Sequence, residues 1–363
     1  MAPAAVLKRA EALSSAPTVC ADLHGTVARV ALQKDAEQSS TLTVRVDSRG
    51  TAAHDAPPVD QSRSIAARAN SPTLPSDAQL GHYAVAALIE EAELTPKPAL
   101  VDRRGSGAHR DLDLATMARS AYALEPTFAA LARAARRRGE PSALLRTELA
   151  QIGRAGEQAM LHATGGSNAH RGAIWIVGLL VAGVCVGTPI PGNTMHMNAA
   201  QICTRAAQIA CFPDRFAAPS DSHGERARQR YQVGGARREA QEGFPHVIEV
   251  GLPALLAARS RGVDENAARV DALLAIMASL DDTCLLHRAG VAGLHAGQHG
   301  ARRVLEAGGS STPAGGAALA DLERELLSLN ASPGGTADLL AATLFLDMLA
   351  HHDAGRSPDP WNI

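Results

Sequence analysis

The residues able to do chemistry gather in five short segments rather than in one motif. Asp281 and Asp282 stand side by side ahead of Thr283-Cys284-Leu285-Leu286-His287-Arg288, directly after an apolar stretch. Paired acids beside His and Arg suit a divalent cation or general-base work. Acids at a helix C-terminus oppose its dipole, so a bound cation would give a reason to keep them there. On that reading, removing either charge leaves folding stability unchanged or slightly raised. Between Leu94 and Asp113, Lys97, Arg103, Arg104, His109 and Arg110 alternate with Asp102, Asp111 and Asp113. That mixture fits a polyphosphate with its metal, cations meeting phosphate oxygens and carboxylates meeting the metal. The turn Thr164-Gly165-Gly166-Ser167-Asn168-Ala169-His170-Arg171-Gly172 can offer N–H groups to an anion at the start of an apolar helix. It is neither a P-loop nor a G-x-G-x-x-G fingerprint. Tyr231 to Glu239, with Gly234, Gly235, Arg237 and Arg238, forms the fourth Gly-rich junction. Ser332-Pro333-Gly334-Gly335-Thr336-Ala337-Asp338 is the fifth, a helix start where an anion or an Asp338-bound metal can sit. His351-His352-Asp353 is set aside as a helix end, His196 with Met195 and Met197 as filler, and Cys284 as a small buried residue.

Helices must position these segments. Of 363 residues, 46% are hydrophobic, 20% charged and only 3% aromatic, which disfavours a large β-sandwich or barrel. The 35 Lys and Arg against 37 Asp and Glu leave a net charge of −2, too little basic excess for a nucleic-acid binder. Five cysteines, an odd number without a C-x-x-C pair, argue against a disulfide framework or structural zinc and fit a reducing compartment. The N-terminus is a poor secretory signal, and the apolar run 173–186 is too short for a bilayer, so it reads as a buried core helix. A protein of the cytoplasm, with no membrane contact, is expected.

From residue 76 onward helical patterns follow one another. Leu80, Ala84, Ala87, Leu88 and Glu91 share a face, and so do Ala267, Val270, Leu274 and Met277 behind a capping Asp264. Leu112–Leu124 reads as one helix, Pro126 as the opening of the next and Pro141 as the opening of a third. About ten helices are expected. The fold class is all-α: one multi-helix domain over 76–355, an irregular extension over 1–75 without helical pattern, and a tail over 356–363. Within the extension, Val27–Leu32 and Leu42–Val46 alternate as short strands do, but two strands alone are marginal in water.

The five segments jointly resemble the triphosphoribosyl-dephospho-coenzyme A synthase family. The matching stretches are EEAELTPKPALVDRRGSGAHRDLDL (90–114), IGRAGEQAMLHATGGSNAHRGAIW (152–175), YQVGGARREAQEGFP (231–245), LDDTCLLHRAG (280–290) and SPGGTADLLAATLFLD (332–347). Ala169, Arg238 and Ala289 depart from the family pattern, which tends to have Thr at the first and Gly at the other two. The 280s motif and the 101–114 run look closer to the malonate decarboxylase branch than to the citrate lyase branch.

The resemblance implies transfer of the 5-triphosphoribosyl group of ATP, with Mg²⁺, to the 2′-hydroxyl of 3′-dephospho-coenzyme A, releasing adenine. A separate transferase would then load the product on an acyl carrier protein. It implies Asp281, Asp282, Asp111 and Asp338 as metal or ribose ligands, with Glu90 and Glu91 as further acids. It implies phosphate or substrate contacts from Lys97, Arg103, Arg104, His109, Arg110, Thr164, Gly165, Gly166, His170, Arg171, Arg237, Arg288, Ser332, Gly334 and Gly335. For the general base, Asp102, Glu239 and His287 are unranked. The rival readings are a metal-dependent nucleotide phosphohydrolase on a helical scaffold and a non-enzymatic helical adaptor for an acyl carrier protein. The oligomeric state is left open.

Overall fold

A computed structural model describes residues 74–187, 198–217 and 222–353. The two alternating stretches, nearly all of the 1–75 extension, Met195, His196 and Met197, and the 356–363 tail lie outside the described residues. Among the described residues the chain is helical, with no named strand. In chain order the helices are α1 (Asp77–Glu93), α2 (Leu114–Arg138), α3 (Ala143–Ala163), α4 (Arg171–Cys185), α5 (Ala199–Cys211) and α6 (His223–Tyr231). They continue with α7 (Gly235–Gln241), a π-helical turn (His246–Gly251), α8 (Leu252–Ser260), α9 (Glu265–Met277), α10 (Thr283–Glu306), α11 (Pro313–Ser328) and α12 (Gly334–Asp353).

Short polar side chains start most of these helices. Ser76 and Gln79 form a reciprocal capping box on α1. Asp113, Ser142, Asp264 and Thr312 each accept an N–H from the first turn of the helix that follows. The expected boundary at Pro126 is absent: α2 runs through it without interruption. Pro126 and Tyr122 four residues earlier are both exposed, so the carbonyl that loses its partner faces the solvent side, while Ala121, Leu124, Phe128 and Leu131 anchor the opposite face.

α4 runs through the middle, packed by α2, α3, α5 and α12, and every residue from Ile176 to Cys185 is buried. This is the core helix expected from the apolar run, and no described helix is long and apolar enough to cross a membrane. Cys185, Cys203 and Cys284 carry free thiols, and Cys211 is disulfide-bonded. Small residues let backbones come close here. A methyl group on Gly183 of α4 would stand 2.5 Å from the Ile202 carbonyl of α5. Gly183→Ala therefore forces two backbones apart, at a cost of about 1–3 kcal/mol. A thermal melt should show a clear drop in midpoint for Gly183→Ala, and an unchanged midpoint would contradict this packing.

Candidate active site

All five segments, distant in sequence, open onto one cavity of about 1150 Å³. Lys97, His109 and Asp111 reach it from the first segment, and His170 and Arg171 from the second. Arg237 and Glu239 come from the third, Asp281, Asp282, His287 and Arg288 from the fourth, and Ser332, Gly334, Gly335 and Asp338 from the fifth. The volume exceeds the roughly 300–1,000 Å³ of an ordinary small-molecule site.

Asp282 organises the cavity floor. Its side chain is 1% exposed. Oδ1 accepts the N–H groups of Cys284 (2.8 Å), Leu285 (3.3 Å) and Gly335 (3.3 Å), while Oδ2 accepts the N–H (2.7 Å) and hydroxyl (2.8 Å) of Thr336. One carboxylate thus caps the N-termini of both α10 and α12. This corrects the expectation drawn from sequence: α9 ends at Met277, and Asp282 is the N-cap of the helix that follows, where a negative charge favours the dipole. Burial pushes its pKa up against these hydrogen bonds. Gly335 is glycine because a Cβ would come within 3.0 Å of Asp282 Oδ1.

Asp338 repeats the device. It projects from the first turns of α12 and accepts the Ala173 N–H, capping α4. A Cβ on Gly172 would sit 1.9 Å from Asp338 Oδ2. Burial, with Glu91 and Asp282 nearby, holds the Asp338 carboxyl well above its usual range. The N–H groups of Ala173, Gly335 and Thr336, at the starts of α4 and α12, are therefore engaged by the protein's own acids, and of these Gly335 had been expected to meet substrate.

His170, the residue before α4, is 3% exposed and shares a 2.7 Å hydrogen bond between Nδ1 and Ser120 Oγ. Its Nε2 is buried without a partner. Burial, helped by Lys97, pushes its pKa down to about 3, so it faces the cavity as a neutral imidazole rather than a phosphate-binding cation. His109 is likewise shifted downward, first by burial and then by Arg288, and its Nε2 meets Ser332 Oγ at 2.9 Å.

On another wall, Glu239 is 6% exposed and holds His246 twice, accepting its N–H at 2.9 Å and its Nδ1 at 2.8 Å. The hydrogen bond and charge of Glu239 outweigh the opposing effect of burial, the largest single influence, and raise the His246 pKa. His287 is exposed and stacks on His223 with ring centroids 4.0 Å apart.

Residues 77–357 match the CitG family, described as ATP:dephospho-CoA triphosphoribosyl transferase. The chain belongs to this family. A probable 2-(5''-triphosphoribosyl)-3'-dephosphocoenzyme-A synthase of Azotobacter vinelandii is 59% identical over 267 residues, covering 73% of this chain and 89% of that protein. The similarly named Pseudomonas aeruginosa protein is 58% identical, covering 74% and 90%. The 2-(5''-triphosphoribosyl)-3'-dephosphocoenzyme-A synthase of Klebsiella pneumoniae is 56% identical, covering 75% and 94%. No solved structure matches.

Several residues proposed from sequence for this transferase do not line its cavity. Asp102 accepts the Lys97 N–H (2.9 Å), the Arg104 N–H (2.8 Å) and Arg104 Nε (2.9 Å), which knits the 97–104 loop. Arg104 also forks onto Glu323 of α11, both oxygens at 2.7 Å. Arg103 pairs with Glu93, Glu90 pairs with Arg269 of α9, and Arg110 is exposed away from the cavity. Thr164 donates to Met160 O and Ser167 O, and Gly165 and Gly166, at φ 67° and 101°, turn the chain out of α3. Lys97 does reach the cavity, but it is fully buried and paired with Glu91 at 2.6 Å. Nothing in the sequence patterns points to Ser120, Arg146 or His246, and Trp175, one of two tryptophans, lies at the end of the second matching stretch.

Asp282→Asn should destabilise the fold. An amide can satisfy one helix start, but its NH₂ then faces N–H donors of the other, costing about 1–3 kcal/mol for the orphaned groups. Asp281→Asn, on an exposed side chain, should stay within about 0.5 kcal/mol. Denaturant titrations of both variants check this; equal stabilities would remove Asp282 from its structural role.

Proposed function

We propose that this transferase moves the 5-triphosphoribosyl group of ATP to the 2′-hydroxyl of 3′-dephospho-coenzyme A and releases adenine. The observation that supports this most is the convergence of five polar segments on one cavity that both acids and arginines line. Bond formation at ribose C1′ passes through an oxocarbenium-like state, which negative charge stabilises, while the triphosphate needs cations. Glu239 is the general base in this reading. Among the three candidates it alone combines burial at the cavity with a partner that fixes its orientation, and the carboxylate keeps lone pairs beyond the two used by His246. Asp102 is spent inside its loop, and His287 stands exposed against His223.

Mg²⁺ would arrive with the triphosphate. Among the described residues no group of three or more His, Cys, Asp or Glu is arranged to hold a metal. Mg²⁺ needs no such cage: one or two carboxylates with phosphate oxygens and water suffice, and Asp281 and Asp111, both exposed and lining the cavity, fit that donor set. Its contribution would be neutralisation of phosphate charge. The same reading places the product upstream of a separate transferase acting on the acyl carrier protein of malonate decarboxylase, the branch its 101–114 and 280–290 stretches resemble. ATP and dephospho-coenzyme A are cytoplasmic nucleotides, so the reaction is assigned there.

Chromatography after incubation with ATP, Mg²⁺ and dephospho-coenzyme A should show one adenine formed per acceptor consumed. Release of phosphate in place of adenine would instead support a phosphohydrolase. Glu239→Gln should lower adenine formation by at least about 100-fold, the lower end for losing a general base. A near-normal rate would take Glu239 out of that role.

A further inference from the structure

Several cations lining the cavity are already paired with acids. Lys97 pairs with Glu91, Arg171 with Glu157 and Arg228 with Glu225. Arg146 is different. It lies in the first turn of α3, half-buried, with its guanidinium carbon 4.7 Å above the ring of Trp175. Its Nε is buried and has no hydrogen-bond partner. The acid that acts on it, Asp214, is held by Arg154 at 2.6 Å. Trp175 is itself fixed, donating Nε1 to the Ala236 carbonyl at 3.1 Å, which ties α4 to α7 and brings Arg237 to the same wall. Burial depresses the Arg146 pKa, and the repulsion of Arg237 and Arg154 adds to that effect against the attraction of the shared Asp214.

A desolvated charge is normally paired, and stacking on an aromatic face orients a guanidinium without neutralising it. The Arg146 pair is therefore incomplete in the protein alone. We infer that Arg146, held on Trp175 and flanked by Arg237, binds the phosphoanhydride chain of a substrate: either the triphosphate of the donor or the diphosphate of the acceptor. This subsite rests on the substrates proposed above. Its chemistry, two guanidinium forks converging on a flexible polyanion, is the shared requirement of both chains.

The test is calorimetric titration of the full chain, Arg146→Met and Arg237→Met with inorganic tripolyphosphate and with pyrophosphate, beside KM and kcat for each substrate. Loss of a charge-assisted contact should weaken one anion by at least about 10-fold. It should raise KM for the matching substrate and change kcat little. A raised KM for ATP assigns the subsite to the donor, and a raised KM for dephospho-coenzyme A assigns it to the acceptor; either supports the inference. Unchanged anion affinity in both variants, a loss confined to kcat, or no anion binding by the unsubstituted chain would overturn it. Should Arg146→Met fail to fold, Arg237→Met, an exposed side chain, carries the same measurement. If no adenine forms with any acceptor, the functional reading fails while the anion titrations still decide the subsite.

Discussion

The buried carboxylate of Asp282 is the constraint on which the site depends. Two helices, α10 and α12, begin at the same place, and each leaves N–H groups without intrahelical partners. Asp282 accepts from both, with five hydrogen bonds spread over its two oxygens. Desolvating a carboxylate is costly, and an acid with fewer donors would take up a proton. Two positive helix ends and a hydroxyl offset that cost. Register follows: the segments 280–290 and 332–338 are locked to one another, so Asp281, Arg288 and Ser332 face a common space.

The lock extends further through Asp338, which α12 carries to the start of α4. Three helix starts are joined through two acids, and the glycines at 172 and 335 are the clearances that the acids require. Glu91 adds a third carboxylate, balanced by the buried ammonium of Lys97. These three acids are therefore largely satisfied within the protein. Among the cavity's acids, Asp281 and Asp111 are the exposed ones.

Much of this was legible in sequence. Capping residues, the apolar period of α1 and α9 and the low aromatic content point to helices because they reflect local rules. The five polar segments stand out because structural helix ends rarely need so many charged and Gly-rich positions. What sequence could not show was the partner of each charge. Arg103, Arg104 and Asp102 look like a phosphate and metal cluster, yet Glu93 and Glu323 claim the two arginines, and Glu323 lies 219 residues away from Arg104. Asp282 looked like a liability at a helix end because α9 precedes it, whereas the helix it serves follows. Pro126 looked like a boundary because local propensity was read without the packing that overrides it. His170 looked cationic; its burial is a tertiary fact.

The same pairing logic separates this site from nucleotide sites built on helix N-termini. In those, a Gly-rich turn presents free N–H groups and the helix dipole to phosphate. Here the Gly-rich turns exist, but the carboxylates of Asp282 and Asp338 take N–H groups of α12 and α4 and bring their own negative charge to those helix ends. A substrate phosphate placed there would meet a carboxylate instead of a free donor. In the proposed reading phosphate recognition falls instead to side chains, and Arg237, Arg288 and Arg146 line the cavity. Guanidinium groups offer a long polyanion several separate bidentate forks, where a backbone cradle offers one fixed nest. In the proposed reaction the triphosphate stays on the transferred ribose, and contacts spread over several side chains suit a polyanion that must leave as part of a larger product.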